Sequence, residues 1–142
     1  MTTSGPGRDE DAHSLVAIVD DDDSMRQSMD RLVRSFGYRT RLFGSGDEFL
    51  ASNAPERAAC LLLDVRMPGM DGLTVQRRLI ERGARIAVVF ITALGTDEEE
   101  RRACSAGAVG FLRKPVGQAA LRHAVDEAFR ATPSPRGDPD VD

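Results

Sequence analysis

Residues 14–29 read SLVAIVDDDDSMRQSM, an apolar run followed directly by four aspartates. The run Leu15–Val19 has the length and the branched aliphatic composition of a buried β-strand. From about Ser24 onward, apolar side chains recur at helical spacing, which predicts a helix that ends at Gly37. Because adjacent carboxylates repel one another, their place directly after a buried strand requires a chemical explanation.

The pattern of a strand followed by a helix recurs along the chain. Further strands are predicted at residues 38–43, 60–63, 86–91 and 109–112. Further helices are predicted at residues 45–52, 72–83 and 96–107, and over a last segment that includes 121–129. Five strands alternating with five helices predict an α/β fold, a doubly wound parallel sheet with helices on both faces.

The composition is that of one globular domain of 142 residues. Both ends are rich in Pro, Gly, Ser and charge, so we expect residues 1–12 and 132–142 to be disordered and residues 13–131 to fold. A net charge of −4 argues against direct nucleic-acid binding. No apolar run is long enough to span a membrane, and residues 1–12 lack the apolar core of a signal peptide. With Cys60 and Cys104 expected as reduced, packed thiols, the sequence predicts a cytoplasmic protein.

Polar residues that suit phosphate chemistry follow four of the predicted strands. In parallel α/β sheets, ligands bind beyond the carboxyl ends of the strands. At those ends the chain places the aspartates 20–23, then Asp64, Thr92 and Lys114. Each alone would be an ordinary turn or cap residue, but together they predict a phosphate site with a divalent cation between the carboxylates. Oxygen ligands that leave room for water and phosphate favour Mg²⁺.

Lysine use in this chain is unusual. Of the 19 basic residues, 18 are arginine, and Lys114 is the only lysine. A compositional bias toward arginine would have replaced this residue as well, unless its compact ammonium group is needed. The sequence therefore favours a functional role for Lys114.

Four stretches resemble the motifs of bacterial response-regulator receiver domains, in order and at matching spacing: VDDDDSMR, LLLDVRMPGMDG, VFITA and GFLRKP. The second is most similar to receivers of the nitrogen-fixation-regulator type. The resemblance covers roughly residues 14–130 and implies a flavodoxin-like fold with strand order 2-1-3-4-5. It also implies a two-component signalling protein, which assists its own phosphorylation and dephosphorylation but is not an enzyme in its own right.

The resemblance implies a role for each acidic residue at the sheet edge. Asp64 would be the phosphoacceptor, taking the phosphoryl group from a sensor histidine kinase or a phosphotransfer protein. Asp21 and Asp64 would bind Mg²⁺ directly, together with the backbone carbonyl of Arg66, and Asp20 would act mainly through a water molecule. The two further aspartates, 22 and 23, are expected in a loop or at the start of the first helix.

The resemblance also implies a switch. Thr92 and Lys114 would contact phosphoryl oxygens, and Thr92 and Phe111 would relay the change to a protein-interaction surface. That surface would be formed by the fourth predicted helix, the fifth strand and the last helix, and could join two copies of the chain. The family often has tyrosine where this chain has Phe111, and phenylalanine where it has Val116, so the output surface is the part that departs from the pattern.

Two other interpretations fit parts of the sequence. The stretch VAIVDDDDS also matches the first motif of haloacid-dehalogenase-type phosphatases, with Asp20 as nucleophile; Asp126 and Glu127 are then the only later acidic pair, and Asp64 has no role. A DNA-binding regulator would need a helix-turn-helix, for which residues after Arg130 offer no pattern. The chain is thus expected to be a stand-alone receiver, which an initial Met and a native-like tail favour, or a piece of a longer regulator.

Overall fold

One parallel sheet organises residues 14–131, the part of the chain that the computed structural model describes. Its strands follow the order β2-β1-β3-β4-β5, which confirms the predicted order. The strands are β1 (Leu15–Val19), β2 (Arg39–Phe43), β3 (Cys60–Leu63), β4 (Ala87–Thr92) and β5 (Gly110–Arg113). The segments 1–12 and 132–142, expected to be disordered, lie outside the described residues.

Six helices connect and flank these strands, one more than predicted. They are α1 (Asp23–Ser35), α2 (Gly46–Ala51), α3 (Ala54–Arg57), α4 (Gly72–Glu81), α5 (Asp97–Ser105) and α6 (Gln118–Ala131). The unpredicted helix is α3, a single turn with Pro55 near its start. A segment of one turn is too short to show helical periodicity, and proline suits the first turn because its missing N–H is not needed there.

Local capping residues set the helix ends next to the sheet. Asp22 accepts a hydrogen bond from the backbone N–H of Met25 and so caps α1. Thr96 and Glu99 form a capping box at the start of α5, as their spacing predicts. The predicted stop Gly37 has a φ of 100°, a left-handed conformation that residues with a Cβ rarely adopt.

Alternate residues of each strand point to opposite faces, so the sheet has a hydrophobic core on each side. In β1, Val19 joins one cluster and Ile18 the other, and both are fully buried. Cys60 is a buried free thiol as expected, but Cys104 is exposed near the end of α5, so the expectation that both cysteines are packed is wrong. Among residues 14–131, no helix is both long and apolar enough to cross a bilayer.

Candidate functional site

The register of the sheet brings the strand ends together at its carboxyl edge. Val19 pairs with Leu63, so the residues that follow them, Asp20 and Asp64, lie side by side. The backbone N–H of Asp64 donates to the carbonyl of Val19 at 3.1 Å, and that of Lys114 donates to the carbonyl of Thr92 at 2.9 Å. The residues that follow β1, β3 and β5 are Asp20, Asp64 and Lys114, and they thus lie at the same edge of the sheet.

The ammonium of Lys114 bridges two buried carboxylates. Its Nζ lies 3.1 Å from Asp20 Oδ2 and 3.3 Å from Asp64 Oδ2. Burial raises the pKa of Asp20, and this outweighs the hydrogen bonds from the backbone of Asp22 and from Lys114. Burial acts to lower the pKa of Lys114, but the two carboxylates outweigh burial and the net shift is upward. The only lysine of the chain is therefore a charge partner at this edge.

Three carboxylates at this edge could share a cation. Asp20, Asp21 and Asp64 each place an oxygen within 4.8 Å of the others. When all three are ionised, the single ammonium of Lys114 leaves two negative charges unbalanced, which is the charge that one divalent cation carries. The donor set is oxygen only, and the exposed side chain of Asp21 leaves an open side for water. These residues therefore fit Mg²⁺ by charge and ligand chemistry.

Thr92 contributes a buried hydroxyl that nothing in the described chain satisfies. The residue is 0% exposed, and its Oγ1 has no hydrogen-bond partner within residues 14–131. An unsatisfied buried hydroxyl is unfavourable, so such a group in a native site calls for an explanation. A ligand that accepts a hydrogen bond at the carboxyl end of β4 would satisfy it.

One known protein family matches most of the chain that carries this site. A family model described as the response regulator receiver domain matches residues 16–126. The chain belongs to this family. Receivers are domains of two-component signalling proteins rather than conventional enzymes, and the acidic cluster of this chain fits phosphorylation chemistry that uses Mg²⁺.

Named relatives agree with this assignment. The response regulator protein TmoT of Ectopseudomonas mendocina is 40% identical over 87% of this chain, which corresponds to 56% of TmoT. Nodulation protein W of Bradyrhizobium diazoefficiens is 43% identical over 79% of this chain and 49% of its own length. The chain thus spans about half the length of the curated relatives it matches.

Solved structures show the same receiver fold. The response regulator StyR superposes with a TM-score of 0.77 at 40% identity, over 83% of this chain and 60% of StyR. FixJ-N superposes with a TM-score of 0.75 at 32% identity, over 82% of this chain and 93% of that structure. Family membership decides against the phosphatase interpretation, and Asp126 in this receiver accepts a hydrogen bond from Tyr38 at 2.5 Å.

The remaining predicted residues of the receiver occupy distinct places. Arg66 donates its backbone N–H to Asp64 Oδ1 at 3.2 Å, while the metal contact of its carbonyl stays a prediction. Phe111 is half-buried, with its ring centroid 6.0 Å from that of Phe90. The Lys114–Pro115 peptide is cis.

Two residues that position the acidic cluster were missed in the sequence. Arg26 donates to the backbone carbonyl of Asp20 at 2.7 Å, which holds the β1–α1 turn in place. Its guanidinium also pairs with the exposed Asp23 at 2.5 Å. Gly72 packs so closely on β3 that a Cβ there would overlap the carbonyl oxygen of Asp64. The sequence signal for this close approach was Gly72 itself, a glycine at the first helical position directly after the capping residue Asp71.

Proposed function

We propose that the receiver takes a phosphoryl group onto Asp64 in a Mg²⁺-dependent reaction. The donor would be a phosphohistidine of a sensor histidine kinase or of a phosphotransfer protein. The observation that supports this most directly is the surroundings of Asp64, whose carboxylate lies within contact of the Lys114 ammonium and within 4.8 Å of carboxylate oxygens of Asp20 and Asp21. Thr92, whose hydroxyl has no hydrogen-bond partner among the described residues, is the last residue of the neighbouring strand β4.

The chain's own residues would have separate roles in the transfer. A carboxylate oxygen of Asp64 attacks phosphorus, the phosphorus–nitrogen bond breaks, and the imidazole leaves with the bonding electrons and takes up a proton. Lys114 exchanges a carboxylate partner for a phosphoryl oxygen, and Thr92 donates its hydroxyl to another. Positioning and charge neutralisation are the main sources of catalysis in such transfers.

The metal would be held by the acidic cluster. Asp21 and Asp64 would bind Mg²⁺ directly with the backbone carbonyl of Arg66, and Asp20 would act mainly through water. When bound, Mg²⁺ neutralises negative charge on the transferring group. The same residues would assist hydrolysis, in which water attacks phosphorus, inorganic phosphate leaves and the Asp64 carboxylate is restored.

The output would be a change of protein-interaction surface rather than direct contact with nucleic acid. We place that surface on α5, β5 and α6, with Thr92 and Phe111 behind it, and propose that phosphorylation changes its pairing with a second copy or another protein. The net charge of −4 disfavours a DNA surface on this chain. A cytoplasmic location, where sensor kinases present their phosphohistidine, belongs to the same proposal.

Identifying the phosphorylated residue tests the proposal. With Mg²⁺ and acetyl phosphate, the wild-type chain should gain one acid-stable, base-labile phosphate by mass spectrometry, and Asp64→Asn should gain none. Asp23→Asn is the matched control, because its carboxylate is exposed in the same turn and should not affect labelling. Full labelling of Asp64→Asn, or phosphate mapped to Asp20, would show that the mechanism is wrong.

A further inference from the structure

Two arginines, one after β3 and one at the end of β5, hold the loop that follows Thr92, which we call the β4–α5 loop (residues 93–96). Arg66, just after β3, donates to the backbone carbonyl of Leu94 at 3.2 Å. Arg113, at the end of β5, donates through Nε to the backbone carbonyl of Gly95 at 3.1 Å. Two consecutive carbonyls of one loop are thus bound from opposite sides.

Each arginine also pairs with an acidic residue in the first turn of α5. Arg66 lies 3.0 and 3.1 Å from the two carboxylate oxygens of Glu99, the residue that completes the capping box. Arg113 lies 3.0 Å from Glu100 and 3.3 Å from Asp97. The loop and the start of α5 are therefore tied as one unit to β3 on one side and to β5 on the other.

This loop packs directly on the two switch residues. A Cβ placed on Gly95 would lie 2.6 Å from Thr92 Cγ2 and 2.7 Å from the ring of Phe111. The guanidinium of Arg113 lies 5.4 Å from the centroid of that ring. Because there is no room even for a Cβ between Gly95 and either side chain, a displacement of Thr92 or Phe111 toward the loop has to displace the loop as well.

We propose that Arg66 and Arg113 are positioning residues that form a two-arginine clamp, which holds the β4–α5 loop in its unphosphorylated place and so opposes the engagement of Thr92 with a phosphoryl group. The clamp rests on the proposed function of Asp64 and adds its regulation. Its arginines act through the loop, since their guanidinium groups bind the carbonyls of Leu94 and Gly95 rather than the acidic cluster.

The effect of the clamp should be measurable but modest. The side chains of Arg66 and Arg113 are 48% and 43% exposed, and exposed charge pairs contribute little individually. A ligand that requires the displaced loop binds with an apparent affinity reduced by the fraction of molecules in the competent state. Loss of one arginine should therefore tighten such a ligand about threefold, and loss of both about tenfold.

Beryllofluoride with Mg²⁺, which stands in for the aspartyl phosphate, is the probe for this test. We expect Arg66→Met and Arg113→Met each to bind it about threefold more tightly than wild type, and the double variant about tenfold, by ¹⁹F NMR titration. The substitution at Arg66 leaves its backbone carbonyl in place. In the ligand-free variants, amide exchange at Leu94 and Gly95 should also be faster than in wild type.

Arg82→Met is the matched control. Arg82 donates to the backbone carbonyl of Leu50 at 3.0 Å and pairs with Glu56 at 3.1 Å, so it makes the same kind of contacts at the opposite edge of the sheet. Its loss should lower stability without changing beryllofluoride affinity.

The outcomes separate the clamp from the function on which it rests. If Arg66→Met and Arg113→Met bind beryllofluoride as wild type does, or more weakly, the clamp is refuted while phosphorylation at Asp64 stands. An equal gain of affinity in Arg82→Met would attribute the effect to general destabilisation and would also refute it. A wild-type chain that does not bind the probe would overturn both proposals.

Discussion

At the scale of single residues, Gly72 packs directly against the main chain of Asp64 and Val65. A Cβ on Gly72 would overlap the carbonyl oxygen of Asp64 and lie 3.0 Å from the Cα of Val65. Both neighbours are main-chain atoms of the segment that follows β3, so neither can move aside as the end of a side chain could. Glycine is required here by close approach, and the backbone conformation of Asp64 depends on it.

We therefore expect Gly72→Ala to lower the free energy of unfolding by about 1–3 kcal/mol, the usual effect of overpacking. This is the reverse of the gain of up to about 1 kcal/mol that alanine gives over glycine at an open helix position. Urea unfolding would measure the change. Gly117→Ala is the control, since nothing lies within 4 Å of a Cβ there, and its stability should stay within about 0.5 kcal/mol of wild type. Equal stability of both variants would contradict the packing argument.

The sequence was sufficient to predict which polar residues lie together at the carboxyl edge of the sheet, but not the residues that support them. Asp20, Asp64 and Lys114 each directly follow a strand, and in a parallel sheet that position fixes the edge at which a side chain lies. Gly72 and Arg113 act through contacts between segments far apart in the chain, whose distances no local pattern encodes. The supports of the site therefore required the structure.

At the scale of helices and strands, most ends were predictable because their signals are local. The capping box of Thr96 and Glu99 and the glycine stops lie within a few residues of the ends they set. The one-turn helix α3 was missed because it is too short for the helical period to repeat. Contacts between elements were not predictable, and the packing of Tyr38, just before β2, against α6 is an example. Its hydroxyl donates to Asp126, and its ring stacks on Phe129 at 4.6 Å between centroids.

This contact predicts a loss of stability in alkali. Burial raises the pKa of Tyr38 to about 12, and the hydrogen bond to Asp126 and its negative charge act in the same direction. Between about pH 10 and pH 12 the folded state keeps a phenolic proton that the unfolded state loses, so the free energy of unfolding falls as pH rises through this window. The contribution is fully present below about pH 10.

The ultraviolet absorbance of the phenolate measures this directly, because Tyr38 is the only tyrosine and the chain has no tryptophan. Asp126→Asn should move the titration midpoint down toward the ordinary value of about 10. Glu127→Gln, on the same helix, pairs with Arg130 in the wild type and should leave the midpoint unchanged. A midpoint near 10 in the wild type would show that the Tyr38–Asp126 contact does not hold the proton.

At the scale of the whole molecule, a cation held by the acidic cluster would link metal binding to folding. A cation that binds only the folded state stabilises it by about 1.4 kcal/mol at ten times its Kd. We expect Mg²⁺ to raise the melting temperature by about 2–6 °C, measured by scanning calorimetry. Asp21→Ala should abolish the shift, and without metal it should be at least as stable as wild type because one repelling carboxylate is gone.

Asp23→Ala is the control for this measurement, because its exposed carboxylate pairs with Arg26 outside the cluster and its loss should leave the Mg²⁺ shift intact. An unchanged shift in Asp21→Ala would place the cation elsewhere, and the absence of any shift in wild type would contradict the metal site.

The order of the strands also determines which strands can pair with each other while the chain is still being synthesised. β1 has β2 on one side and β3 on the other, so both of its hydrogen-bonding edges can be filled once Leu63 has left the ribosome. β4 then adds to the free edge of β3, and β5 adds to β4. From β3 onward, each strand that emerges finds its partner already made, and the only inner edge left free is that of the newest strand, until the next strand emerges. Since unpaired edges are where chains associate wrongly, this order of synthesis keeps the incomplete receiver's exposed edges few.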